Sequence, residues 1–259
     1  MKTIFKNIFF ITFIFCALSV TAQKLPPGLL GGMLKSDKWV IKKDLQQEEF
    51  TGNVSYNSTL YKLRSDYALS DRKKDTFTLR GNVYLYNKTL QGETLELFSD
   101  KAFYNNAKRT AQASASNKEL LKIIYDLPEN YKITAEGKNL ALDFKKETSA
   151  LDKEVKVEYE TKEDFTLAFA DKAFFNNLSK TGFLEGNVEI DNKEYSVFAH
   201  RIDFNQNTSD ITVSGGYPLV TMDNKDATLA LQSDTITVNT QTRKANAAGR
   251  VSGWISPKN

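Results

Sequence analysis

Six acidic residues recur along the chain, and they are the first candidates for chemistry. Each follows a small residue in a Ser-Asp, Ala-Asp or Ala-Glu pair, and they are Asp37, Asp66, Asp100, Glu136, Asp171 and Asp234. Such a series could bind calcium or supply the paired carboxylates of a polysaccharide-cleaving enzyme. Calcium-binding repeats, however, are short and rich in glycine and aspartate. Because short polar side chains near turns commonly hydrogen-bond local backbone, we predict a structural role, with no catalytic residue and no metal site.

The remaining inventory of reactive residues is small. The chain has a single histidine, His200, and a single cysteine, Cys16. Cysteine and histidine zinc sites need several such residues, and a Ser-His-Asp triad would depend on His200 alone. The sequence also lacks a phosphate-binding glycine loop, a nucleophile elbow and a dinucleotide-binding fingerprint. We therefore predict a protein that is not an enzyme and has no cofactor.

The acidic pairs belong to a repeat in which a second feature follows sixteen residues later. Counting sixteen residues from the small residue of each pair, and including the pair Ala199-His200, reaches glycine in five of seven cases. The positions reached are Gly52, Gly81, Ala115, Leu151, Gly186, Gly215 and Gly249. The variation in repeat length, 29 to 36 residues, falls after these positions. A constant part and a variable part are typical of strands in fixed register joined by variable connections.

Apolar and polar residues alternate around the glycines. After Gly52, for example, Val54 and Tyr56 are apolar or aromatic, whereas Asn53 and Ser55 are polar. Alternation with period two predicts strands with one apolar and one solvated face, and the glycine indicates a bulge or bend. Only segment 117–127, which Pro128 follows, could form a short helix instead of a strand. The sequence thus predicts an all-β repeat protein.

The first 22 residues have the features of a secretory signal peptide. Lys2 and Lys6 precede an apolar segment at 8–18, and the small-residue site 20–22 precedes Gln23. An uncleaved N-terminal anchor is the alternative. Cleavage would remove Cys16, so the exported chain could form no disulfide.

The rest of the chain is predicted to form one domain. Segment 23–35 contains Pro-Pro-Gly and Gly-Gly and is predicted to be a flexible lead-in, 36–255 a single domain of about seven repeats, and 256–259 a tail. The formal charge of +3 would fall to +1 without residues 1–22, which carry two lysines and no acid. A near-neutral chain is not expected to bind nucleic acid, which needs a concentrated basic surface.

Several of these segments resemble the OstA-like repeats of the lipopolysaccharide-transport family. The matching features are Gly-Asn-Val after an apolar residue, the small-Asp pair sixteen residues earlier, and the segments 214–220, 231–236 and 247–251. The resemblance covers roughly residues 36–255, and the departures are Ala115 and Leu151 in the place of glycine.

The resemblance implies an open, twisted antiparallel β-jellyroll with a hydrophobic groove for the acyl chains of lipid A. A protein of this kind carries lipopolysaccharide across the periplasm toward the outer membrane. Its expected partners are inner-membrane LptC-like and outer-membrane LptD-like proteins, joined by edge-strand pairing, and head-to-tail copies of itself. The residues expected to line the groove are Val54, Tyr56, Val83, Leu85, Val188, Ile190 and Leu219.

Two other classes of protein remain as alternatives. A structural β-solenoid, either a scaffold or an adhesive protein, would have a closed core and bind no lipid. A polysaccharide-acting β-helix enzyme would need several acids close together on one exposed face, which a single acid per repeat does not favour.

Overall fold

The computed structural model describes residues 32–89, 92–116, 119–127, 131–223, 227–242 and 244–257. The predicted signal peptide, residues 23–31 of the predicted lead-in and residues 258–259 lie outside this range. The strands are β1 (Met33–Lys35), β2 (Lys38–Lys42), β3 (Gln47–Asn57), β4 (Tyr61–Asp71), β5 (Thr76–Lys88), β6 (Thr94–Asn105), β7 (Thr110–Ser114), β8 (Leu121–Leu127), β9 (Tyr131–Gly137), β10 (Asn139–Asp143), β11 (Thr148–Glu160), β12 (Phe165–Asn176), β13 (Thr181–Asn192), β14 (Tyr195–Asn205), β15 (Asp210–Ser214), β16 (Leu219–Asp223), β17 (Ala227–Gln232), β18 (Thr235–Asn239), β19 (Lys244–Ala248) and β20 (Ser252–Pro257). A single 3₁₀ turn, Lys43–Leu45, joins β2 to β3.

The chain is an all-β protein with antiparallel strand pairs, as the alternating sequence predicts. Segment 121–127 forms strand β8, so the strand interpretation of this segment is confirmed. The predicted boundaries of the lead-in and of the tail differ from those of the structure. Residues 33–35 form strand β1 instead of the end of a flexible lead-in, and β20 includes two residues, 256–257, that were predicted to be tail.

Eight long strands bend in the middle, and the short strands are the two halves of further bent strands. In β3, for example, residues 55–57 pair with β1 whereas residues 47–51 pair with β2. We call the place of each bend a corner. Half-sheet A contains β1, β8, β9, β16, β17, β20 and the halves of β3–β6 and β11–β14 that continue them. Half-sheet B contains β2, β7, β10, β15, β18, β19 and the other halves.

The two half-sheets face each other across an apolar interior. Tyr159 from half-sheet A and Phe175 from half-sheet B belong to one cluster of buried side chains, and neither is more than 2% exposed. Each fully buried side chain of this size contributes about 1.5–3 kcal/mol to the free energy of unfolding. The alternation of apolar and polar residues therefore stabilises the fold, because every second residue of each half-sheet points into the interior. This is a β-jellyroll built from one folded ribbon of strands.

Half-sheet B ends in a row of four-residue turns, which we call rim B. Its described turns are 43–46, 72–75, 106–109, 144–147, 177–180 and 206–209. The first residue of a turn donates its backbone N–H to the last residue of the preceding turn, as Asn106 does to Asp75 at 2.9 Å. The same bond, at 2.8–3.0 Å, links the other consecutive turns of the row. Rim B is therefore a continuous hydrogen-bonded ridge.

Candidate functional site

Five of the six acids of the repeat, all except Glu136, lie at the corners and are hydrogen-bonded to the neighbouring strand. In three repeats the carboxylate accepts a hydrogen bond from the asparagine that follows the glycine. The pairs and their distances are Asp37–Asn53 (2.9 Å), Asp66–Asn82 (2.9 Å) and Asp171–Asn187 (3.0 Å). The sixteen-residue step of the sequence is thus the separation between two side chains that meet at one corner.

Two further repeats keep this contact with other residues. Asp100 accepts a hydrogen bond from the backbone N–H of Ser116, which stands in the place of asparagine. Asp234 accepts bonds from the backbone N–H of Arg250 at 2.9 Å and from its guanidinium at 2.8 and 3.0 Å. The guanidinium bonds hold the pKa of the Asp234 carboxyl below its usual value. Each of these five acids is therefore engaged in its own corner, and the absence of a catalytic role remains a prediction.

Where a repeat has a corner glycine, both backbone geometry and space require it, as Gly186 shows. Gly186 has φ +78°, a value that favours glycine, and Asn187 has φ 47°. These two residues form a bulge, since the pairing of β13 with β14 shifts between Glu185 and Val188. A Cβ on Gly186 would overlap the Asp171 carboxylate. The prediction of a bulge is confirmed.

The fourth repeat was misaligned in the sequence analysis. Glu136 is not at a corner but in regular register, opposite Lys156. The corner lies at Lys138, between β9 and β10, and sixteen residues later Glu154 occupies the asparagine position. The Lys138 Nζ lies 3.8 Å from the Glu154 carboxylate, so the charges of this corner are reversed. Leu151, which was counted as the glycine equivalent, is instead 1% exposed in the core.

The residues that were predicted to line a groove point into the interior, with one exception. Five of them are no more than 5% exposed and pack in the core: Val54, Tyr56, Val83, Val188 and Ile190. Leu85 also points inward but is only half-buried. The predicted positions therefore lie mostly in a closed interior, and their contact with a lipid remains a prediction.

The prediction for Leu219 is wrong. Leu219 pairs with Phe198, which is 41% exposed on the outer face, whereas its neighbour Val220 packs against the core. The reason is the segment 215–218, a longer connection that takes the place of the two-residue bulge found in β3, β5, β11 and β13. A shift of one residue moves a whole strand's side chains to the opposite face.

The interior is not equally packed along its length. A large buried cluster spans β7–β15 and β18, and a smaller one consists of Phe50, Val54, Ala68, Leu79 and Val83. Between them lies a group of inward-facing residues that are only half-buried, which we call the β4–β6 window. It consists of Leu63, Phe77, Leu85, Leu95, Leu97 and Ala102. The window is a contiguous group of half-buried inward residues on three neighbouring strands, whereas other half-buried inward residues of the middle strands, such as Leu127 and Leu142, lie near strand ends.

Both ends of the ribbon expose apolar side chains. At the N-terminal end, Trp39 stacks on Phe50 with ring centroids 5.6 Å apart, yet Trp39 is 58% exposed. Ile41 on the same strand is 54% exposed. At the C-terminal end, Ile255 pairs with Leu229 and is 70% exposed. The apolar interior is thus open to solvent at both ends of the described chain.

Rim B carries a row of cations that the sequence analysis missed. They are Lys43, Arg72, Lys73, Lys74, Lys108, Arg109, Lys145, Lys146 and Lys180. The signal was present in the sequence as Arg-Lys-Lys at 72–74, Lys-Arg at 108–109 and Lys-Lys at 145–146. The sequence alone does not bring these short groups together, because their common position on one rim depends on the register of the hairpins.

Searches for other functional features give two negative findings. Within the described ranges, no group of three or more histidine, cysteine, aspartate or glutamate residues is arranged to hold a metal ion. The described residues also contain no helix that is long and apolar enough to cross a membrane.

Comparison with known proteins finds similar solved structures but no matching family. No protein family matches the chain, and no curated protein matches it. Among solved structures, it is similar to the crystal structure of LptH, the LptA-homologous periplasmic component of the lipopolysaccharide transport device of Pseudomonas aeruginosa. That similarity covers 87% of this chain and 95% of LptH, with 8% identity and a TM-score of 0.17. At these values it carries no argument about function.

Proposed function

We propose that this protein is a non-enzymatic carrier that holds the acyl chains of lipopolysaccharide between its two half-sheets. The observation that supports the proposal is the apolar inner face, which continues from one end of the ribbon to the other and is accessible at the ends and in the β4–β6 window. Each methylene transferred from water to such a surface gains about 0.8 kcal/mol. The OstA-like sequence pattern of the corners supports the same interpretation.

The proposal includes a place and partners for the carrier. The signal-like segment 1–22 supports export to the periplasm, where the protein would bridge toward the outer membrane. The end strands β1, β2, β19 and β20 each leave one edge without a partner in the described residues. Such edges can pair with a strand of another protein. We propose that LptC-like and LptD-like proteins, or further copies of this chain, bind there.

A structural scaffold is the second candidate, and the large buried cluster favours it. Along β8–β14 the inward side chains fill the interior, for example Leu121, Leu151 and Ile190, which are at most 1% exposed. A protein that served only as a scaffold would need no accessible interior. It would bind no lipid at any inward position.

Photocrosslinking in cells tests the proposal. Benzoylphenylalanine is placed at the inward, half-buried positions Leu85 and Val220 and at the outward positions Phe103 and Leu219. We expect lipopolysaccharide adducts from at least one inward position and none from the outward ones. Leu219 and Val220 form a matched pair, since they are neighbours in sequence on opposite faces. Absence of an adduct from both inward positions, with the protein correctly folded, would favour the scaffold.

A further inference from the structure

The strands of the β4–β6 window continue past their corners to the most basic part of rim B. The turn 72–75 joins β4 to β5, and the turn 106–109 follows β6. Together they carry five cations: Arg72, Lys73, Lys74, Lys108 and Arg109. The same three strands therefore present accessible leucines on their inner face and cations at one of their ends.

The two turns are held together in a fixed arrangement. The backbone N–H of Asn106 donates to the Asp75 carbonyl at 2.9 Å, and its side-chain amide donates to the Asp75 carboxylate at 2.8 Å. Asp75 is the one acid on these two turns, and this bond occupies one of its carboxylate oxygens. Within the two turns, five cations therefore share a ridge with a single acid.

Some of these cations are paired and others have no acidic partner. Arg72 forms an ion pair with Glu48, and Lys74 lies 3.7 Å from the Asp71 carboxylate. Lys73, Lys108 and Arg109 are exposed and form no ion pair with the part of the chain that the structure describes. Cations of this kind attract an anionic group over about 8–10 Å at physiological ionic strength.

The window itself has the chemistry of a site for an acyl chain. Leu63, Leu85 and Leu97 are direct cross-strand neighbours and form an apolar row across three strands. On either side the row meets residues that are already closed into the core, namely Tyr56 and Ile123, which are 5% and 3% exposed. An acyl chain in the window would therefore complete the packing between the two buried clusters.

Resting on the proposed function, we infer that lipid binding is concentrated in the β4–β6 window and selects anionic amphiphiles. The acyl chain lies against the leucine row, and a phosphate of the headgroup is bound by Lys73, Lys108 and Arg109. The interior of β8–β14 is closed by its own side chains and serves as the stable part of the molecule.

A pair of matched charge reversals tests the inference. The variant Lys73→Glu with Lys108→Glu changes the turns beside the window. The control, Lys145→Glu with Lys146→Glu, changes an equivalent turn of rim B beside strands whose inward residues Leu140 and Leu151 are buried. All four lysines lie on solvent-facing turns, so both variants are expected to fold, which thermal unfolding checks.

Binding is measured with purified lipid A, which carries two phosphates, and with its dephosphorylated form. We expect the Lys73 and Lys108 variant to bind lipid A roughly five- to tenfold more weakly than wild type, because two attractions become repulsions. Its affinity for dephosphorylated lipid A, and the affinity of the control variant for both ligands, should stay within about twofold of wild type. The difference should shrink at high salt.

The outcomes separate this inference from the proposed function. Equal loss in the control variant, or no loss in the Lys73 and Lys108 variant, would overturn the assignment to these turns while wild-type binding still supported a carrier. Photocrosslinking that yields adducts at Val220 but not at Leu85 would overturn the assignment to the window. If wild type binds neither form of lipid A, the proposed function fails and the inference fails with it.

Discussion

At the scale of the residue, the corners explain why the segment 99–106 and its counterparts carry an acid after a small residue. Asp100 in that segment contacts Ser116, and its equivalents in other repeats contact asparagine, arginine or glycine-containing bulges. At the bend the regular hydrogen bonding between strands is interrupted. The carboxylate accepts a hydrogen bond there from a backbone N–H or from a neighbouring side chain. The acids thus have a structural role, and their recurrence needs no catalytic explanation.

Substitution of the corner glycine measures how much the bend depends on it. Gly186→Ala is expected to lower the free energy of unfolding by about 1–3 kcal/mol, because the residue has positive φ and a Cβ would overlap Asp171. Gly216→Ala is the control. Gly216 also has positive φ, at +74°, but its nearest neighbour for a Cβ is His200 at 3.9 Å, so only backbone strain of about 1 kcal/mol remains.

Chemical denaturation of the two variants gives the comparison. Combining Gly186→Ala with Asp171→Ala should cost less than the sum of the single changes, since the overlap with the Asp171 carboxylate is then absent and only the contact with the Cβ of residue 171 remains. Equal destabilisation by Gly186→Ala and Gly216→Ala would show that the Asp171 contact contributes nothing to the requirement for glycine.

At the scale of the element, the connection 215–218 decides which residues of β16 face the interior. Val220→Ser should lower the free energy of unfolding by about 1–2 kcal/mol, because Val220 packs against the core. Leu219→Ser should cost about 0.5 kcal/mol or less, because Leu219 shares the outer face with Phe198. Urea denaturation measures both, and the reverse order of the two costs would contradict the register.

Sequence patterns predicted strands and corners well. They could not determine which face of a strand a residue occupies when an irregular connection precedes that strand. The inward positions Val54, Val83 and Val188 follow regular two-residue bulges, so counting from the glycine placed them correctly. Leu219 was misplaced because the parity of a strand depends on the exact number of residues in the preceding bend. The corner at Lys138 was missed because lysine and glutamate replace the acid and the asparagine with reversed charge.

At the scale of the whole molecule, the alternation of apolar and polar residues could not predict how closely the interior is packed. Alternation predicts that side chains at positions such as Leu85 and Ile190 share a face, but it does not give the packing between two half-sheets. The structure shows Leu85 half-buried and Ile190 1% exposed. That difference arises from the volumes of the facing side chains, which become neighbours only through the fold.

The two ends of the ribbon have complementary inward side chains, which predicts how copies would associate. The N-terminal end presents the large residues Trp39 and Ile41 on β2. The C-terminal end presents the small residues Ala245 and Ala247 on β19, in register with the inward Val238 and Ile236 of β18. Pairing β2 of one copy with β19 of another would bury large side chains against small ones and continue the apolar interior.

Charge at the same ends should make this association depend on salt. Lys38 and Lys42 lie on β2, and Lys244 begins β19, so the approaching edges carry like charge. Higher ionic strength screens that repulsion, and hydrophobic contacts persist. We therefore expect sedimentation velocity to show more head-to-tail association at about 0.5 M salt than at about 0.05 M salt.

Substitution at one end identifies the interface. Trp39→Ser should remove most of the association, because it removes the largest exposed side chain of the N-terminal end. Phe165→Ser is the control, since Phe165 is a comparably exposed aromatic residue, at 49%, on a strand remote from both ends. If both substitutions reduce association equally, exposed aromatic residues cause nonspecific contact and the end-to-end arrangement is wrong. If only Trp39→Ser does so, the open interior continues from one copy to the next.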